Sequence, residues 1–180
     1  MSGSIGLSLP ARAGLPGASP LPATLVCDLR TDHAGEAGAV MIYRGVLAAS
    51  HDAAVRHFAQ GHLATEAAHL AAVAQWLPPR QRSRLLLLWR GAGWLTGSLP
   101  ALVGPRAVYA TIEAVETFVD HHYKEQIESI DTWDPGGTDA QLQALRELLQ
   151  SCRADEIGHR DEAVMLLARH PSPPSLLLRL

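Results

Sequence analysis

The stretch Gln141–Arg169, QLQALRELLQSCRADEIGHRDEAVMLLAR, returns to a small or apolar residue at steps of three and four: Leu142, Leu145, Leu149, Cys152, and later Ala163 and Leu166. Such a heptad seam predicts one long helix with a single buried face. Two positions on that face break the pattern, Glu156 and His159. The same spacing occurs upstream, where His62, Glu66, His69, Val73 and Trp76 share one helical face. Twice, then, a carboxylate and an imidazole occupy predicted core positions, as Glu66-Ala-Ala-His69 and Glu156-Ile-Gly-His159.

An unpaired charge in a bundle core costs roughly several kcal/mol unless a partner or a metal compensates it. Two further helical segments each supply a candidate partner. Glu36 lies in a seam with Val40, Tyr43 and Leu47, and Glu116 in one with Tyr109, Ile112, Val119, Tyr123, Ile127 and Ile130. The order Glu, Glu-x-x-His, Glu, Glu-x-x-His is the ligand set of ferritin-like bundles that hold two iron or manganese ions. One Glu-x-x-His pair alone signifies little, because Glu is a good helix former on exposed faces. Two pairs on core faces, with a seam glutamate in each of two other helices, select the metal reading. Glu36, Glu66, His69, Glu116, Glu156 and His159 are therefore the expected ligands of two divalent ions, with positions left open for oxygen.

Four neighbours of these ligands are candidates for supporting roles. Asp155 flanks the second motif, placed to accept the free N–H of a histidine ligand on the opposite helix. Tyr43 and Tyr123 each follow a ligand glutamate by seven residues and share its face, and His122 flanks the seam of Glu116. Glu113, one turn before Glu116, stands as an alternative ligand. His62 is read as a core or rim histidine, and His33, His51 and His57 are left without a role.

The 180 residues are 47% hydrophobic, enough for one domain with a substantial core. The net charge of −3, and the absence of a basic tract among 15 basic residues of which all but Lys124 are Arg, argue against nucleic acid as a partner. Cys152 falls in an apolar seam, so the two cysteines read as reduced rather than paired. Residues 1–27 read as a flexible N-terminal tail, 28–170 as the helical domain and 171–180 as a short C-terminal tail. No strand alternation, phosphate loop, dinucleotide fingerprint or nucleophile elbow appears, which makes the expected fold all-α.

Helix boundaries follow from caps and breakers. Thr31 or Asp32 is placed to cap a first helix ending near Ala49, and Asp52 to open a second that Pro78 and Pro79 stop near Trp76. Asp134-Pro-Gly-Gly-Thr138 reads as a turn, with Thr138 or Asp139 capping the last long helix. Between the helix pairs, Leu85 to Gly104 carries Arg90 as its one charge and holds Trp89, Trp94 and several leucines among glycines, with Pro100 expected to interrupt any helix. It is too short and broken to span a bilayer, but suits the membrane interface, with Arg80, Arg82, Arg84, Arg90 and Arg106 beside it for lipid phosphates. The competing reading is a buried helix covering one end of the bundle. Residues 31–76 and 105–168 look like a diverged duplication of a helix pair.

Asp32-His33-Ala34-Gly35-Glu36 with Ile42-Tyr43, and Ala114-Val115-Glu116 leading into His121-His122-Tyr123, resemble the demethoxyubiquinone hydroxylase family of ubiquinone biosynthesis. The resemblance covers about residues 28 to 165. It implies a ferritin-like four-helix bundle with an additional apolar helix at the membrane interface, holding two iron ions on the six ligands above. It also implies an oxygen-dependent monooxygenase that hydroxylates the ring of a polyprenylated quinone, with electrons deriving from NADH, and His122 close to the iron site. Expected partners are the quinone, dioxygen, the membrane lipid surface and other ubiquinone-biosynthesis proteins. The expected location is peripheral, on the cytoplasmic face of the inner cell membrane. Family members continue past the second Glu-x-x-His into a further apolar helix, whereas here His170-Pro-Ser-Pro-Pro follows. Another di-iron oxygenase on the same bundle, such as a tRNA-modifying hydroxylase, and a non-enzymatic iron-storage bundle are the alternatives.

Overall fold

The computed structural model describes residues 20–170, and among these every regular element is helical. Five α-helices follow one another: α1 (Ala23–Ala49), α2 (Ala53–Trp76), α3 (Leu86–Val103), α4 (Pro105–Trp133) and α5 (Ala140–Ala168), with a 3-10 turn at Pro79–Gln81. α1, α2, α4 and α5 form the bundle. α3 lies against α1 and α4, outside the four.

Two caps form where the sequence places them. Asp52 accepts from the backbone of Ala54 and Val55 at 2.9 and 3.0 Å, and Asp139 accepts from Gln141 and Leu142 at 2.8 and 3.1 Å. The Asp134–Thr138 turn is tied by the Asp134 carboxylate, which accepts from the backbone of Thr138 and Asp139. Gly137, at φ 62°, supplies the left-handed residue of that turn.

The first helix departs from expectation. It starts at Ala23, so residues 23–27 belong to α1 rather than to a tail, and neither Thr31 nor Asp32 is a cap. The reason is burial: Leu25 and Leu29, each 1% exposed, pack against Trp76, Leu145 and Leu149 and draw the helix out by two more turns. The rest of the expected N-terminal tail and all of residues 171–180 lie outside the described residues.

Pro100 does not interrupt α3 either. It forgoes the bond to the carbonyl four residues back, but only three more helical residues follow it, and its own carbonyl still accepts from Gly104 N at 3.0 Å. α3 inverts the usual amphipathic pattern. Its small residues Gly93, Gly97, Ser98 and Ala101 are buried, while Leu87, Leu88, Leu99, Leu102 and Val103 are exposed, Leu87 by 81%. Close approach of α1 and α3 requires this, because a Cβ on Gly93 or Gly97 would overlap the carbonyl oxygen of Gly38 or Ile42. The buried-helix reading of this segment therefore does not hold. Among the described residues no helix is long and apolar enough to cross a membrane.

The bundle core divides in two. At one end Leu25, Leu29, Val73, Trp76, Ile130, Leu145 and Leu149 pack together, and at the other Val46, Val55, Phe58, Tyr109, Ile112 and Ala163. Glu36, Glu66, Glu116 and Glu156 fall between these clusters on their four helices.

Candidate metal centre

The six sequence-predicted ligands come together midway along the bundle, each no more than 5% exposed. They fall into two tetrads, Glu36, Glu66, His69 and Glu156, and Glu66, Glu116, Glu156 and His159, each with ligand atoms within 4.8 Å of one another. Glu66 and Glu156 belong to both. The two motif carboxylates are thus common to both tetrads, with Glu36 and His69 on one side and Glu116 and His159 on the other.

Both imidazoles turn Nδ1 inward. His69 Nδ1 lies 3.1 Å from Glu156 Oε1 and 3.8 Å from Glu36 Oε2, and His159 Nδ1 lies 3.1 Å from Glu66 Oε1 and 3.3 Å from Glu156 Oε2. Asp155 Oδ2 sits 3.0 Å from His69 Nε2. With its Nε2 proton held there, His69 would present the Nδ1 lone pair to an ion that displaces the Nδ1 proton.

Glu36 Oε2 is buried without a hydrogen-bond partner, and Glu66 Oε1, Glu156 Oε2 and His159 Nδ1 have only one another at 3.1 and 3.3 Å, an arrangement that is costly unless something else binds them. Burial, then repulsion from Glu66 and Glu156, pushes the Glu36 carboxyl well above the usual range. Glu116 is raised well above it in the same way, and Glu66 is raised by burial and by Glu156. Glu156 alone is held down, to about 2, since hydrogen bonds from His159 and His69 outweigh its burial. Four carboxylates crowded out of water have only the two imidazoles, His69 and His159, to supply positive charge. The donor set, oxygen-rich with one neutral nitrogen per side, fits two divalent first-row ions.

The tyrosines lie across the cluster from their own helix's ligand. Tyr43 donates to Glu116 Oε1 at 2.9 Å, and Tyr123 donates to Glu36 Oε1. His122 Nε2 lies 3.0 Å from Asp32 Oδ1, which also accepts from Gln126 Nε2 at 2.7 Å. The Asp32 hydrogen bond raises the His122 pKa against the effect of partial burial. Asp32 and Gln126 were not singled out for the site; the available signal is that Asp32 stands one turn before Glu36 and Gln126 one turn after His122. His62 packs its ring 4.0 Å from that of His159 and bonds Glu162 at 3.0 Å, outside both tetrads. Glu113 is outside them too, while Glu116 is inside. His51 and His57 are exposed on α2 and the residues before it, away from the cluster.

A mostly apolar cavity of about 410 Å³ opens between α1, α3 and α4 and ends on Glu36, Glu66, Glu116 and Glu156. Trp89, Phe118 and Ile42 line it, with His122 and Tyr123 in its wall.

Residues 23–179 match the family described as "Ubiquinone biosynthesis protein COQ7". The chain is 37% identical over 155 residues to the 3-demethoxyubiquinol 3-hydroxylase of Rhodospirillum rubrum, covering 82% of this chain and 67% of that one. It is 33% identical over 135 residues to the human mitochondrial NADPH-dependent 3-demethoxyubiquinone 3-hydroxylase (74% and 60% covered), and 29% identical over 147 residues to the mitochondrial 5-demethoxyubiquinone hydroxylase of Saccharomyces cerevisiae (76% and 63%). It spans between about 60% and two thirds of the length of these relatives.

Proposed function

Since this chain belongs to the ubiquinone biosynthesis COQ7 family, we propose that it is a di-iron monooxygenase that hydroxylates the benzoquinone ring of demethoxyubiquinone. The observation that carries this reading is the pair of tetrads sharing Glu66 and Glu156 at the closed end of an apolar cavity. Iron ions held there would supply the activation of dioxygen. The reaction replaces one ring C–H by C–OH and releases the second oxygen atom as water. It consumes two electrons and two protons, and the "NADPH-dependent" names of several relatives support a nicotinamide dinucleotide, NADH or NADPH, as their source.

Each residue then has a task. Glu66, Glu156, Glu36, His69, Glu116 and His159 would hold the ions, Glu36 and His69 from one tetrad and Glu116 and His159 from the other. Tyr43 and Tyr123 fix the carboxylates of Glu116 and Glu36, and Asp155 fixes the tautomer of His69. His122 keeps a proton between its Nε2 and Asp32 in the cavity wall, from which it can reach an oxygen developing on the ring. Trp89, Ile42 and Phe118 give the ring an apolar slot and exclude water.

The substrate's prenyl tail makes it a membrane solute, and the exposed Leu and Trp residues of α3 beside the cavity support peripheral attachment there, on the inner face of a bacterial or mitochondrial inner membrane. Exposed Arg80, Arg84 and Arg90 supply cations next to that face. Partner proteins of the same pathway would meet the same region. The deciding experiment is the quinone profile, by mass spectrometry, of a bacterial strain lacking its own demethoxyubiquinone hydroxylase. Ubiquinone should return with the native chain and not with Glu66→Ala. Persistence of the demethoxy precursor beside folded, iron-loaded protein would falsify the assignment.

A further inference from the structure

α1 carries a second set of polar side chains on another face from Glu36. There His33 and Arg44 of α1, Arg82 of the connection after α2, and Arg90 of α3 line a cleft of about 420 Å³ whose remaining lining is apolar. No carboxylate lines it. Among the described residues the arginine–carboxylate pairs involve Arg146, Arg153 and Arg160, so the three cleft guanidinium groups have no such counter-charge. Two nitrogens of residues that line the cleft are buried without a hydrogen-bond partner, Nδ1 of His33, a residue only 3% exposed, and Nε of Arg82. Burial, and then the charge of Arg82, lowers the His33 pKa and so favours the neutral imidazole. A neutral imidazole can still donate one N–H, and Nδ1 is the free position.

We propose that this cleft is a phosphate site: a tetrahedral phosphate oxyanion seated between Arg44, Arg82 and Arg90, accepting hydrogen bonds from Arg82 Nε and His33 Nδ1. Guanidinium forks match phosphate oxygens, and unpaired cations facing one cleft lower the energy of an anion there. The site is separate from the metal centre and does not depend on the proposed reaction. Its phosphate can come from solution or from a lipid headgroup, since the exposed Leu87 and Leu88 stand beside Arg90 on α3.

The test uses the full chain and two probes: inorganic pyrophosphate by calorimetry, and phosphatidylglycerol against phosphatidylcholine vesicles by flotation. Saturable pyrophosphate binding weakened about tenfold or more in Arg82→Gln and Arg90→Gln, each a lost charge-assisted contact, supports a site for free phosphate. Selective flotation with phosphatidylglycerol, lost in the same variants but kept in Arg169→Gln, an exposed arginine outside the cleft, supports a headgroup site. Arg90 is exposed, so its variant should keep the helical circular dichroism and melting temperature of the native chain. Failure to bind both probes, or equal loss in Arg169→Gln, overturns the proposal.

Discussion

Tyr43 on α1 donates to Glu116 on α4 at 2.9 Å, and Tyr123 on α4 donates back to Glu36 on α1. Each tyrosine stands two helical turns past the glutamate of its own helix, so the two antiparallel helices lock each other's ligand in place. Neither hydroxyl is ionised, because burial and the facing carboxylates push both tyrosines well above their usual pKa. Replacing either by Phe leaves the ring packing and frees one carboxylate oxygen. Tyr43→Phe and Tyr123→Phe should each weaken metal binding roughly 10-fold to 100-fold, the usual cost of losing an outer partner. The fold should lose only about 1 to 2 kcal/mol. Cobalt titration followed by absorption, together with urea unfolding, reads both; unchanged affinity in both variants would refute the locking role.

Asp155 offers a sharper distinction because its side chain is about half exposed, 49%, and contributes little to the core. Asp155→Asn retains an acceptor oxygen for His69 Nε2–H, whereas Asp155→Ala retains none. The expected result is metal affinity reduced about tenfold or more in the Ala variant and near native in Asn. If the two variants behave alike, His69 does not depend on this contact for its tautomer.

Much of this centre could be read in the sequence, since heptad spacing fixes which side chains share a helix face, and burial cost then makes Glu66 and Glu156 stand out among leucines. What spacing cannot reveal is which partner lies across a helix gap. The sharing of Glu66 and Glu156 by two tetrads, the crossed tyrosine bonds and the Asp32–His122–Gln126 group all depend on how α1 sits against α4. Asp32 departs from the sequence expectation for a local reason. An aspartate ahead of a helical pattern resembles a cap, and only the packing of Leu25 and Leu29 against Trp76 shows that the helix continues through it. α3 was misread in the opposite sense, because Pro100 suggests a break where the helix is simply ending.

Metal binding should be strongly pH-dependent. Without metal, His69 is raised to about 11, where hydrogen bonds to Asp155 and Glu156 overcome its burial, and His159 to about 9, where Glu156 and Glu66 do the same. Both imidazoles therefore carry a proton at pH 7, and Glu36 and Glu116 also hold protons more firmly than usual. An ion must displace these protons, so affinity rises with pH through about 9, where His159 loses its proton, and on toward about 11, where His69 does, and it falls as pH drops. Each proton released per ion contributes about tenfold per pH unit. Manganese titrations in weak buffer at pH 6.5 and 8 should show acid released on binding and at least tenfold tighter binding at the higher pH. Binding with no proton release would count against protonated imidazoles in the metal-free cluster.

Gly97 tests the close contact of α1 and α3. A methyl group there would overlap the Ile42 carbonyl, which is backbone and has no rotamer to escape into. Gly97→Ala should push α3 away at a cost of about 1 to 3 kcal/mol, lowering the melting temperature by roughly 2 to 4 °C per kcal/mol for a domain of this size. Gly91→Ala, on the same helix with nothing within 4 Å of the added carbon, is the control and should be neutral or slightly stabilising.

The exposed face of α3 can be separated from the arginine cleft by using uncharged lipid. Leu87, Leu88 and Leu102 are 81%, 68% and 72% exposed, so changing all three to Gln should leave the melting temperature nearly unchanged. In contact with a bilayer each would bury apolar area worth about 1.5 to 3 kcal/mol. The triple variant should therefore float with phosphatidylcholine vesicles at least 100-fold less well than the native chain, and its metal affinity should be unaffected. A native chain that never floats, or a variant that floats equally well, would mean that this face meets something other than lipid. Retained metal binding in the variant keeps that outcome distinct from any fault in the carboxylate cluster, which lies in the core beyond Gly38 and Glu36.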